Sequence, residues 1–160
     1  MATKNSSDLD GPVGPPLIGA LLRMPVDVVR ARMLAALHAR GFTDLAPAHM
    51  ALLRWPGPQG RRPSDIAAQY AMTKQAVNYL LGQLESLGYL ERRPDPDDQR
   101  SRRVHLTPRG RELVDIMRDA VAEVEAEWTA LLGERDFARL RTLLTRLNDE
   151  LAAAPPSQLG

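Results

Sequence analysis

Apolar residues recur at Ala76, Val77, Leu80, Leu81, Leu84 and Leu87. That spacing places them on one face of a helix, while Lys74, Gln75, Asn78 and Gln83 fall outside the stripe. Thr73 supplies a hydroxyl for the free amides of the first turn, and Gly88 sits where a left-handed cap is wanted. A shorter helix precedes this one. It opens at Ser64 and Asp65, turns Ile66 and Ala67 inward, and ends near Tyr70, with Ala71 and Met72 as the turn. Downstream, Tyr89 to Arg93 has a strand pattern. Pro94 to Asp98 forbids helix and forms a turn-rich loop, after which Val104 to Leu106 alternates as a second strand. Helix, turn, helix and a two-stranded wing follow one another over Arg61 to Gly110.

The flanks are helical. Leu17 to Arg23 predicts a short helix that Pro25 interrupts; a new helix restarts at Pro25 and runs to Arg40, with Gly41 as its stop. Pro47 opens a helix reaching about Trp55, ended by Pro56, Gly57 and Pro58. Thr107 caps a long helix with Pro108 at its first position, and its apolar stripe runs from Leu113 to Leu131 before Gly133. A last helix carries Phe137, Leu140, Leu143, Leu144, Leu147 and Leu151. So much apolar surface beside a small winged module predicts burial against a second copy; packing within one chain is the plainer alternative. The fold class expected is mostly α, a winged helix-turn-helix domain with N- and C-terminal helices forming a dimerisation region. Residues 1–16, rich in polar residues, Gly and Pro, are expected to form a disordered or loosely attached arm. Residues 17–44 and 108–153 would be the dimerisation helices, and 45–107 the DNA-binding region.

Charge sharpens this division. The net formal charge is +1, which by itself indicates nothing about partners. Between Arg61 and Arg111, however, ten Lys or Arg face six acids, whereas Glu112 to Glu150 holds ten acids and five Arg. A basic centre beside an acidic helical end suits a module that meets phosphate. The chain has no cysteine, which excludes disulfides, thiol redox sensing and Cys-based zinc sites. No stretch has the length of a membrane span and Leu17 to Leu22 is too short for a signal-peptide core, so a cytoplasmic location is expected. His38, His49 and His105 show no metal-ligand spacing, and neither a nucleophile elbow nor a phosphate-cradling glycine loop is present. The expectation is no enzyme and no cofactor.

In a helix-turn-helix, the start of the second helix enters the major groove. Lys74, Gln75 and Asn78 stand there; amides match adenine edges, and Lys suits guanine or phosphate. Tyr79 is ambiguous, as it also suits packing beneath the helix. On the wing, Arg92, Arg100, Arg102 and Arg103 are candidates for phosphate or the minor groove. Strand alternation puts Arg102 and Arg103 on opposite faces, so at most one reaches a groove.

The run from Asp95 to Gly110, DPDDQRSRRVHLTPRG, resembles the wing signature of the MarR family of bacterial transcription regulators. Asp98, Arg100, Ser101, Leu106, Thr107 and Gly110 fall on that signature, and Leu84 to Arg92 fits the family's preceding helix end and first wing strand. The resemblance implies a homodimer that binds a pseudo-palindromic double-stranded operator, a repressor released by a ligand. It also implies a second reading of Arg100, in which it pairs with Asp98 and shapes the wing. Family members often take small aromatic or amphipathic effectors between the dimer helices and the winged domain. His38, His49 and Trp55 are candidates to line such a pocket, with ordinary packing as the alternative. A winged-helix protein–protein interaction module without DNA binding is the competing functional class.

Overall fold

The computed structural model describes residues 15–53, 59–98 and 100–153. In chain order, α1 spans Ile18–Ala39, α2 Pro47–Leu53, α3 Pro63–Gln69 and α4 Lys74–Ser86. The strands β1, Leu90–Pro94, and β2, Arg102–Leu106, follow, and then α5, Pro108–Leu132, and α6, Glu134–Ala153. Trp55 and most of the expected arm lie outside the described residues. No helix among those described is long and apolar enough to cross a membrane.

The expected cap residues start and stop the helices. Thr73 Oγ accepts from Ala76 N at 3.1 Å and Thr107 Oγ from Gly110 N at 3.1 Å, each satisfying an amide the first turn leaves open. Gly41, Gly88 and Gly133 adopt positive φ after their helices. Pro25 departs from expectation: α1 runs through it without a break. A proline removes one hydrogen bond, here the one that would reach the carbonyl of Leu21. Leu21 is exposed in the single chain, where water can meet that carbonyl, and the ring's fixed φ is itself helical.

The wing is antiparallel, with Leu90 opposite Leu106 and Arg92 opposite Val104. Pro94, expected in the loop, instead closes the ladder opposite Arg102. A proline fits there because β1 is an edge strand and the amide it lacks would face away from β2. On its other edge β2 is bridged by Arg61, whose N donates to Val104 O at 3.1 Å while Val104 N donates to Arg61 O at 2.8 Å. The residue leading into α3 is thus a third rung of the wing. Gly60, at φ 68°, makes this possible, since a Cβ there would lie 2.5 Å from the ring of His105.

The core fills the space between these elements. Leu37, Leu53, Val77, Leu84, Tyr89 and Leu113 are fully buried. The second half of α1 packs along α5, and Arg32 locks the pair with two hydrogen bonds to Glu127, at 2.8 and 3.0 Å. Beyond this the chain leaves apolar surface open. No residue of α6 is buried, and Leu140, Leu143, Leu147 and Leu151 all remain exposed, as do Leu17, Ile18, Leu21 and Met24 at the start of α1.

Candidate nucleic-acid interface

The outer side of α4 is set by its inner side. Val77, Leu81 and Leu84 are buried, so Lys74, Gln75, Asn78 and Tyr79 point away from the core, and all four are exposed. Tyr79 does not pack beneath the helix; it is 67% exposed. Among the described residues the side chains of Lys74 and Gln75 have no partner. Asn78 is engaged: its Nδ2 donates to Lys74 O at 3.0 Å, and its Oδ1 accepts from Arg92 Nη1 at 3.3 Å. Arg92 also donates through Nε to Glu85 Oε2 at 3.2 Å. One wing arginine is thereby laid across α4, beside the face that carries the amides.

The wing loop is built around Asp95, which in the sequence looks like a turn former. Its carboxylate is buried. Arg62 Nε donates to Oδ2, Arg103 Nε lies 3.0 Å from the same oxygen, Ser101 Oγ donates to it at 3.2 Å, and Asp97 N donates to Oδ1 at 3.0 Å. Arg62 first, then Arg103 and the Asp97 amide, hold this carboxyl well below the usual carboxylate range, against the opposing effect of burial. Arg103 also reaches Asp97, with Nη2 2.9 Å from Oδ2. Arg103 is therefore turned into the wing, whereas Arg102 is exposed and has no partner among the described residues. Asp98 takes the backbone amide of Arg100 at 3.0 Å, not its guanidinium. The Arg100 side chain is exposed, and the Asp98–Arg100 charge pair is not formed among the described residues.

Because Asp95 ties the residue before α3 to β2, its replacement is expected to loosen both. Asp95→Asn should lower the melting temperature at neutral pH. A carboxyl depressed by folding contributes stability that is complete above its unfolded value, about 4, and is lost as pH falls below it. The gap in melting temperature between Asp95→Asn and the parent should therefore hold from pH 7 to about 4 and narrow below. A gap that closes between pH 7 and 5 would assign the effect to another group.

Of the effector candidates, Trp55 lies outside the described residues, and His38 and His49 do not come together. His38 is exposed at the end of α1. His49 is buried, and both its ring nitrogens are engaged. It lines an open cleft of about 620 Å³ with Asp44, Asn78, Tyr79, Gln83 and Ser86, and His38 is not part of that cleft. A second hollow, about 450 Å³, lies between α1 and α5, floored by Val29, Met33, Val114, Met117 and Val121 and edged by Arg118 and Glu125. None of these residues stands out in the sequence as a ligand contact, because an apolar helix face carries the same pattern whether it packs or lines a cavity.

One further cluster joins the winged module to α5. Tyr89 donates its hydroxyl hydrogen to Asp44 Oδ1 at 2.5 Å, and Arg109 Nη2 lies 3.0 Å from Asp44 Oδ2. The guanidinium of Arg109 also sits 4.7 Å from the centre of the Tyr89 ring. Burial and the Asp44 hydrogen bond raise the Tyr89 pKa, so the phenol stays protonated and can donate.

A family model described as MarR family matches residues 43–101, the span from the α1–α2 loop through the wing loop. The transcriptional repressor Mb2911 of Mycobacterium bovis is 32% identical over 127 residues, 77% of this chain and 89% of its own length. The uncharacterised regulator YkoM of Bacillus subtilis is 36% identical over 75 residues, and there the chain spans about half of the relative, 47%. Among solved structures, the repressor CouR bound to a DNA duplex superposes with TM-score 0.63 at 27% identity, over 82% of this chain and 92% of that one. The Mycobacterium tuberculosis MarR family protein Rv2887 in complex with salicylic acid gives TM-score 0.59 at 29% identity, over 84% of this chain and 98% of that one.

Proposed function

The chain belongs to the MarR family of transcriptional regulators, and from that premise we propose that it represses transcription as a homodimer on a pseudo-palindromic operator and is released by a small effector. The observation that carries this reading is the pairing of α4 with the wing. The exposed face of α4 presents Lys74, Gln75 and Asn78, Arg92 lies across it, and Arg102 projects from β2 with no partner among the described residues. Helix N-terminus and basic strand are the two parts that a winged reader sets in a major groove and its neighbouring minor groove. In this reading residues 45–107 meet DNA, and the helices of 17–44 and 108–153 join the two copies in the cytoplasm. The exposed leucines of α6 and the apolar start of α1 support that assignment. The DNA-bound relative and the salicylate-bound one support DNA and an aromatic acid as partners. His38 and Trp55 retain only the sequence argument as effector contacts. His49 is a poorer candidate, since its hydrogen bonds are already spent within the protein.

The contacts should separate by their physics. Gln75 and Asn78 belong to base readout and Arg102 to phosphate or groove width. Operator sequences are first recovered by selection from random duplexes. Gln75→Ala or Asn78→Ala should then cost about 1–3 kcal/mol on the operator and much less on random DNA. Arg102→Ala should weaken both and make the salt dependence shallower by about one unit per chain. Equal losses on both DNAs for the α4 variants would show that α4 is not the reading element. A flat salt dependence for the parent would favour a protein–protein module instead.

A further inference from the structure

We propose that His49 is a positioning residue for operator reading: acting through Gln83, it aims the hydroxyl of Tyr79 outward from α4 as a donor to a base acceptor. This rests on the reading of α4 given above. The backbone amide of Ala46 donates to His49 Nδ1 at 3.1 Å. A backbone nitrogen can only donate, so Nδ1 keeps its lone pair and the neutral ring carries its proton on Nε2. Nε2 then donates to Gln83 Oε1 at 2.9 Å. That contact fixes which end of the Gln83 amide faces the imidazole, and the other end donates from Nε2 to the Tyr79 hydroxyl at 3.1 Å.

The chain of donors runs in one direction, from the backbone before α2 to the surface of α4. Its last member accepts from inside the protein, which leaves its own hydrogen for something outside. Tyr79 lies one turn beyond Gln75 on the same ridge, so it faces the floor Gln75 would read. An outward donor at that place fits purine N7, guanine O6 or thymine O4, which are the major-groove acceptors. The buried histidine thus acts from α2 on a residue of α4, and its imidazole touches no DNA.

Two replacements of His49 divide the relay from the packing. Asn places an acceptor near the Nδ1 position and keeps the bond from Ala46 while losing the donor to Gln83. Gln places a donor near the Nε2 position and keeps the bond to Gln83 while losing the acceptor. Thermal melting and binding to the selected operator and to a random duplex are measured for both. His49→Asn should melt close to the parent yet lose about tenfold on the operator and less than about twofold on random DNA. His49→Gln should stay within about threefold on the operator even if it melts lower. Tyr79→Phe should match His49→Asn, and combining the two should add little, since both break one chain of bonds. Parental operator affinity in His49→Asn, or an equal loss on both duplexes, would overturn the relay. If Gln75→Ala discriminates between the duplexes and His49→Asn does not, the relay alone fails. If Gln75→Ala also fails to discriminate, the reading of α4 falls and takes the relay with it.

Discussion

Ending the chain at Gly133 is expected to abolish dimerisation and, with it, tight operator binding. The helix removed, α6, has no buried residue, and its Leu140, Leu143, Leu147 and Leu151 line one exposed stripe. Leu143 and Leu147 are each 47% exposed, far more than leucines at successive turns retain once packed. The winged module should survive the cut, because α6 touches it little. Its main ties are to α5, through the Arg141 to Glu125 bridge at 2.7 Å and the half-buried Phe137 and Leu144. Two half-sites bound by one dimer gain affinity from linkage alone, so a monomer should bind operator about a hundredfold or more weakly. Light scattering should show monomer, or aggregate driven by the uncovered start of α1, and far-ultraviolet dichroism should show retained helix. A soluble dimer with parental affinity would remove α6 from the interface.

Gly110→Ala should destabilise the fold by about 3 kcal/mol, a fall in melting temperature of roughly 6–12 °C. A Cβ at this position would stand 2.1 Å from the backbone oxygen of Tyr89. The obstacle is main chain, so no rotamer change relieves it. The same oxygen accepts from Thr107 N at 3.0 Å, and Thr107 Oγ donates to Gly88 O at 2.6 Å. Moving α5 away to admit a methyl group would break the contacts that seat it. Gly19→Ala is the control: nothing lies within 4 Å of its Cβ position in α1. That change should be neutral or slightly stabilising, since alanine is the better helix former. Similar melting of both variants would refute the close-approach account of Gly110.

The elements of the winged module were legible because local signals agree there. Thr73, Thr107, Pro108, Gly88 and Gly133 mark boundaries through hydrogen-bonding and φ requirements that hold in any fold, and the apolar stripe of α4 fixes its inner face. What the sequence hid depends on distance in space. Asp95 looks like a turn residue in a proline-rich loop; only folding brings Arg62, from before α3, to its carboxylate. The bridge of Arg61 to Val104 joins residues 43 positions apart and leaves no periodic trace. Pro25 misled for the opposite reason. Its local cost is real, but whether the freed carbonyl can reach water depends on the exposure of α1, which no local pattern records. Alternation did separate Arg102 from Arg103, although the acids that capture Arg103 could not be named in advance.

The seating of α5 has a mechanical consequence. Its first turn is pinned to the winged module by Thr107, Gly110 and the Arg109, Asp44 and Tyr89 cluster, while its far end joins α6. With 25 residues it is a strut about 37 Å long. A tilt of about 10° at the outer end would swing the pinned end, and the winged module with it, by about 6 Å. In the proposed dimer, two half-sites one helical turn apart would be separated by about 34 Å, and a displacement of that size would take both modules out of step with the grooves. Under the proposed release by an effector, a ligand wedged beside such a strut would act as a fulcrum, far from the bases.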